Sequence, residues 1–357
     1  MSSLRLPPCV AIPALLSLHL AACGTPDFVV RPADAASASD AVLADAATTP
    51  DRPLGADAAV DATTRDGGAV GDAVTADDTA ATGDDAGPPA DVGPTMPGTV
   101  PASIARALPA FDDPTLARVR GLRTAGLAAG NRPDVFAKIG DSITEAGGFL
   151  QDIGDGYYDL QDYAWLMPTL TYFDRVHFAD ARSSFNRYST AAMGGWVSAQ
   201  VLAGDPASPL QNEIAAIHPL YAIVMIGTND LDRDNLPEYT ANLARIATIL
   251  EGNGTVPIFS TIPDRTDPGG PAARVASYNT AVRSLAASHH VPLIDYWLVM
   301  HDLPGDGISD DGIHPSIWRN MGDPQATDFR AEALQYGYNM RNLTALLMLD
   351  RLRNLAP

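Results

Sequence analysis

The chain has 357 residues, 46% of them hydrophobic and 18% charged, and its formal net charge of −20 speaks against a nucleic-acid partner. Cys9 and Cys23 are its two cysteines, so a mature form beginning at Cys23 can hold no internal disulfide and must take its stability from packing. Composition changes sharply near residue 100, which predicts one folded domain of roughly 250 residues behind a segment of another kind.

At the N-terminus a single positive charge, Arg5, precedes an apolar run from Val10 to Leu20. The run is too short for a membrane-spanning helix of about 20 residues, and the pattern predicts a signal peptide over 1–22. It ends in Leu20-Ala21-Ala22-Cys23-Gly24, which resembles the bacterial lipobox and implies lipidation of Cys23 and a lipid anchor in the cell envelope. Gly24, rather than Asp, after the cysteine points to the outer membrane of a two-membrane bacterium. An ordinary cut near Ala22 would instead release a soluble protein; on either reading the chain is exported.

From Gly24 to Val100 fourteen Asp stand against three Arg, with no Lys or Glu and with Phe28 as the one aromatic residue. Apolar burial there cannot offset the entropy of ordering, so residues 23–100 are expected to be a disordered tether whose like charges extend it. No metal loop is expected in it, because a Ca²⁺ loop needs Asp at regular short spacings.

Residues 101–357 read as alternating helices and apolar strands. A helix is expected over Thr115 to Ala129, stopped at Gly130-Asn131-Arg132-Pro133, and a strand over Val135 to Ile139. A Tyr-rich irregular stretch follows around 149–188, then a helix from Trp196 to about Leu202 and a strand over Tyr221 to Ile226. Next come a helix over Leu236 to Glu251, a strand over Val256 to Thr261, a helix from about Ala272 to Ser288 and a strand over Val291 to Tyr296. A final helix is placed near Asn342 to Leu355. Strands separated by helices imply a parallel α/β sheet covered on both faces, with ligands at the carboxyl ends of the strands.

Four short motifs lie at such ends. In Gly140-Asp141-Ser142-Ile143-Thr144 the glycine permits a sharp turn and Ser142 opens the next segment; alone, such a serine is also a common helix cap. Asn229 in Gly227-Thr228-Asn229-Asp230 can aim its amide into the cleft, though the same residues make good turns. In Asp311-Gly312-Ile313-His314 a carboxylate three residues before an imidazole can hold Nδ1 and leave Nε2 free as a base. The pair is also half of a metal site, but no second His or Cys stands at ligand spacing, and His301 reads as structural or solvated. Gly194-Gly195 lets a backbone N–H approach a substrate oxygen. Together the four compose a nucleophile (Ser142), an oxyanion hole (the Ser142 N–H, the Gly195 N–H and the Asn229 amide) and a base with its orienting carboxylate (His314, Asp311).

On these residues the region 103–357 resembles the GDSL-type esterases, or SGNH hydrolases. The resemblance implies a flavodoxin-like three-layer α/β/α fold with a central parallel sheet, ester hydrolysis without metal or organic cofactor, and catalytic roles for Ser142, Asp311 and His314. Gly194 and Gly195 both qualify as the second-block glycine, with spacing to Val201-Leu202 favouring Gly195. The implied substrate is an acylated glycan or other small ester. A lipid ester is the alternative, and a catalytically silent surface-binding lipoprotein a third reading. Two departures stand out: the aromatic insert of 149–188, which either packs in the core or walls the pocket, and the segment after His314, for which the sequence suggests no role.

Overall fold

A computed structural model describes residues 100–355. The expected signal peptide, Cys23 and almost all of the expected linker lie outside the described residues. At the centre is a four-stranded, wholly parallel sheet of β1 (Arg132–Gly140), β2 (Pro219–Met225), β3 (Val256–Ser260) and β4 (Leu293–Ile294), hydrogen-bonded in that order. All seven residues of β2 are buried, as are the last seven of β1, and this explains why the strands read as continuous apolar runs rather than alternations. Each lies within two or three residues of its expected position at either end.

The principal helices complete an α/β/α arrangement. They are α1 (Asp113–Ala128), the one-turn α2 (Ser142–Glu145), α3 (Met167–Asp174), the one-turn α4 (Ser198–Val201), α5 (Pro209–Ile217), α6 (Leu236–Gly252), α7 (Val275–His289) and α8 (Gly337–Arg353). Their starts follow local chemistry. Asp112 accepts from the Thr115 N–H to cap α1, Ser208 and Gln211 form a capping box on α5, and Asn235 accepts from the Glu238 N–H on α6. Helix α6 has one apolar stripe, with Tyr239, Leu243, Ile246 and Leu250 buried.

Helix α8 differs: every residue from Gly337 to Leu352 is buried. Its polar side chains are satisfied by distant loops. Asn342 accepts from the Leu150 N–H and donates to the Gly148 and Ala326 carbonyls. Asn339 accepts from the Trp318 N–H and donates to the carbonyls of Gln325 and Asp328. The helix therefore begins five residues before the expected Asn342. Inward-facing polar residues in its first turns hid the start from an apolar-periodicity reading.

The aromatic insert proves to be core. Phe173 sits edge-on to Phe136 and Tyr221, and Phe185 to Phe136, with all four rings buried. Tyr157 and Tyr158 remain on the surface.

Candidate active site

Strand β1 runs into Gly140, where any β-carbon would fall 2.2 Å from the Met225 carbonyl oxygen, so only glycine allows the chain to turn there. Asp141 follows and caps α2, its Oδ1 accepting from the Ile143 N–H at 3.0 Å. Ser142 is thereby the first residue of a single helical turn above the carboxyl end of the sheet. Burial pushes the Asp141 carboxyl up to about 6, against the pull of the Ile143 N–H and the Arg341 charge, and its Oδ2 has no hydrogen-bond partner among the described residues.

The Ser142 Oγ lies 2.9 Å from His314 Nε2, and His314 Nδ1 lies 2.6 Å from Asp311 Oδ2. The loop from Ser309 to His314 holds this pair by its own bonds. Asp311 Oδ1 accepts from the Ser309 hydroxyl at 2.8 Å and from the Ile313 and His314 N–H groups at 2.9 Å each, while the Ser309 N–H donates to the His314 carbonyl. Partial burial pushes the Asp311 carboxyl up, but these donors and His314 outweigh it and hold the group well below the usual carboxylate range. It stays ionised. Gly312, at φ +73°, closes the loop where a β-carbon would strike the Asp267 backbone.

The remaining two motifs converge on the same end of the sheet. Gly140 exchanges backbone hydrogen bonds with Ala191 and Met193, which brings the Gly194-Gly195 turn beside Ser142. The Gly194 N–H is already engaged by Glu145 Oε2 at 2.5 Å, whereas Gly195, at φ +76°, has no partner for its N–H among the described residues. Only the Gly195 N–H of the two is therefore open to a ligand. The Asn229 side chain donates one N–H to the Trp196 carbonyl at 2.9 Å, which fixes the amide plane and leaves its second N–H available. Asp230 then accepts from both the Ser198 N–H and the Ser198 hydroxyl, tying the Asn229 turn to α4.

Beside His314 opens a cleft of about 940 Å³. Trp318 and Tyr336 line it, their rings edge-on at 5.4 Å, together with Arg319, Glu332 and Gln335. No residue of 149–188 is among those lining it. Sequence reasoning missed Glu145, Asp230 and the cleft-lining residues. Asp230 stands inside a recognised motif and Glu145 directly after one, but only the fold reveals what they bind. For a metal, Asp264, His301 and Asp306 offer ligand atoms within 4.8 Å of one another. There the two ring nitrogens of His301 face different carboxylates, those of Asp264 and Asp306, at 3.4 Å each.

Among solved structures the chain is similar to a GDSL-like lipase from Bacteroides thetaiotaomicron, at 15% identity and a TM-score of 0.40 over 66% of this chain and 98% of that one. It is also similar to a lipase/acylhydrolase from Enterococcus faecalis, at 19% identity and 0.39 over 62% and 97%. An acetylxylan esterase from Geobacillus stearothermophilus matches at 17% identity and 0.39 over 62% and 94%. No curated protein matches the chain. The model of the GDSL-like lipase/acylhydrolase family matches residues 139–317, half of the chain, spanning all four motifs. The chain belongs to that family and is a carboxylic ester hydrolase.

Proposed function

We propose that the protein is an exported serine esterase that removes acyl groups from carbohydrates or other small hydroxylated esters. The observation that carries this reading is the unbroken contact from Ser142 Oγ through His314 to Asp311 beside a cleft with both aromatic and polar walls. His314 Nε2 takes the Ser142 proton as Oγ attacks the ester carbonyl, and Asp311 stabilises the imidazolium that results. The Ser142 N–H, the Gly195 N–H and the Asn229 amide receive the developing oxyanion. His314 then returns the proton to the departing alcohol. Water, activated by the same imidazole, hydrolyses the acyl-enzyme and frees Ser142. Trp318 and Tyr336 offer apolar faces for a sugar ring, and Arg319, Glu332 and Gln335 offer partners for its hydroxyls.

The test pairs fluorophosphonate labelling of Ser142 with a panel of acetylated oligosaccharides, p-nitrophenyl acetate and long-chain esters. Labelling at Ser142 with the highest kcat/KM on acetylated sugars is expected. A preference for long-chain esters would replace the carbohydrate reading with a lipid one, and absence of both labelling and turnover would leave a binding lipoprotein. Residues 23–100 act in this proposal as a tether from a lipidated Cys23, and Cys23→Ser should move an unchanged esterase from the membrane fraction to the soluble one.

A further inference from the structure

A helix of one turn has almost no stability of its own, because nucleation fixes several residues for a single hydrogen bond. The orientation of Ser142 in α2 therefore depends on what grips the turn from outside. Asp141 grips one end, its carbonyl accepting from the Thr144 and Glu145 N–H groups. The other grip comes from α8. Arg341 Nη1 donates to the Ile143 carbonyl at 2.6 Å, Nη2 donates to the Thr144 hydroxyl at 2.9 Å, and the Tyr338 hydroxyl donates to the same Ile143 carbonyl at 3.1 Å. Thr144 in turn donates to the Met225 carbonyl, joining the grip to the end of β2.

Arg341 is only 3% exposed, and its guanidinium lies 3.6 Å from the centroid of the Phe149 ring. Among the described residues it makes no ion pair within 4.0 Å. Burying such a charge without a directly bonded carboxylate is costly, and an apolar residue of similar length would fill the same space more cheaply. The planar fork does what an apolar side chain cannot: it takes two acceptors, one and two residues beyond Ser142, in a single rigid geometry.

We propose that Arg341 is a positioning residue for ester hydrolysis. It fixes the peptide units around Ser142 so that Oγ faces His314 and the Ser142 N–H faces the acyl oxygen, and it places a water-excluded positive charge behind the turn where negative charge develops. The proposal rests on Ser142 being the nucleophile. It lies beyond the stretch matched by the family model, since Arg341 follows residue 317.

The experiment uses the full chain carrying Arg341→Met, Arg341→Lys or Thr144→Val. It measures kcat per serine titrated with fluorophosphonate, KM on p-nitrophenyl acetate, and thermal melting. Arg341→Met is expected to lose about 10²-fold in kcat, comparable to loss of an oxyanion donor, with KM within about threefold. Arg341→Lys, which keeps the charge but not the fork, should recover part of that loss, and Thr144→Val, which removes one acceptor, should lose about threefold to tenfold. A purely structural residue would lower the melting temperature and the titratable fraction while leaving kcat per titrated serine intact. That result in folded Arg341→Met overturns the proposal, as does a loss confined to KM. Should the arginine variants not fold, wild-type kcat in Thr144→Val overturns it. Failure of wild-type protein to label at Ser142 would instead overturn the nucleophile assignment, a separate result.

Discussion

The two sides of the candidate site are built in opposite ways. The turn bearing Ser142 is gripped from far along the chain: Arg341 and Tyr338 reach it from α8, and Asp141 beneath it is 1% exposed. The loop bearing His314 is about half exposed, with side-chain accessibility of 49% at Asp311, and most of its bonds stay within Ser309 to His314, the Thr266 N–H to Gly312 carbonyl and His314 to Ser142 bonds apart. One is held by the core and the other holds itself. Substitutions in the first should disturb stability and rate together, while substitutions in the second should disturb mainly rate.

The largest effects test whether the two sides act as one unit. Ser142→Ala and His314→Ala should each lower kcat by about 10⁶-fold, with the double variant little worse, as for other nucleophile–base pairs. Asp311→Ala should cost about 10⁴-fold, because the imidazole loses its orienting charge, and should lower the melting temperature only modestly, since the bonds it gives up are local and half exposed. A large drop in melting temperature would break the contrast, since it would make the loop part of the core. Asn229→Ala should lose about 10²–10³ in kcat while still labelling at Ser142, and should also melt earlier, because its amide ties the β2 turn to the Trp196 carbonyl. Steady-state rates and melting curves on the same samples separate the two effects.

The smallest effect sharpens the contrast through pH. Asp141, pushed up to about 6 by burial, holds its proton more tightly folded than unfolded. Its contribution to stability is therefore fully present below its ordinary value of 3.8 and is lost as pH rises through about 6. Asp311 has the opposite sign, contributing above the usual carboxylate range and losing that contribution as pH falls below it. Asp141→Asn, which abolishes the cost of ionisation while keeping an acceptor for the Ile143 N–H, should gain melting temperature over wild type between pH 4 and pH 7. A constant difference across that range would show that Asp141 does not ionise against its surroundings.

Much of the candidate site was legible in the sequence because each motif is a local turn, although only the Ser142 and Asn229 motifs directly follow strands of the sheet. Gly194-Gly195 follows an isolated bridge to Gly140, and Asp311 to His314 lies in a loop well beyond β4, against the expectation that all four sit at strand ends. Gly140, Gly227 and Gly312 mark the turns, and the apolar runs before the first two mark the sheet. What stayed hidden depends on long reach. The choice between Gly194 and Gly195 turns on the Glu145 side chain, 49 residues earlier than Gly194. The start of α8 is masked because Asn339, Arg341 and Asn342 break the apolar period in order to bond loops, Asn339 those of Trp318 to Asp328 nearby and Arg341 and Asn342 those nearly two hundred residues earlier. Helix α5 carried its capping box in plain view at Ser208-Pro209-Leu210-Gln211, yet it sits between stronger signals and was not expected.

Helix α8 also bears on when the molecule becomes competent during its making. It is the last element described, yet every residue of it from Gly337 to Leu352 is buried. Arg341 bonds a carbonyl 198 residues earlier, and Arg351 bonds the Pro109 carbonyl 242 residues earlier. Contacts of such sequence separation slow folding, and a nascent chain ordinarily folds from its leading end. Here the leading strand cannot finish its turn until the trailing helix arrives. A chain that had emerged past Asp311 and His314 but not yet through α8 would contain Ser142, Asp311 and His314 and still lack the Arg341 grip on the Ser142 turn, so under the proposed role of Arg341 hydrolysis should begin only once α8 has joined the fold.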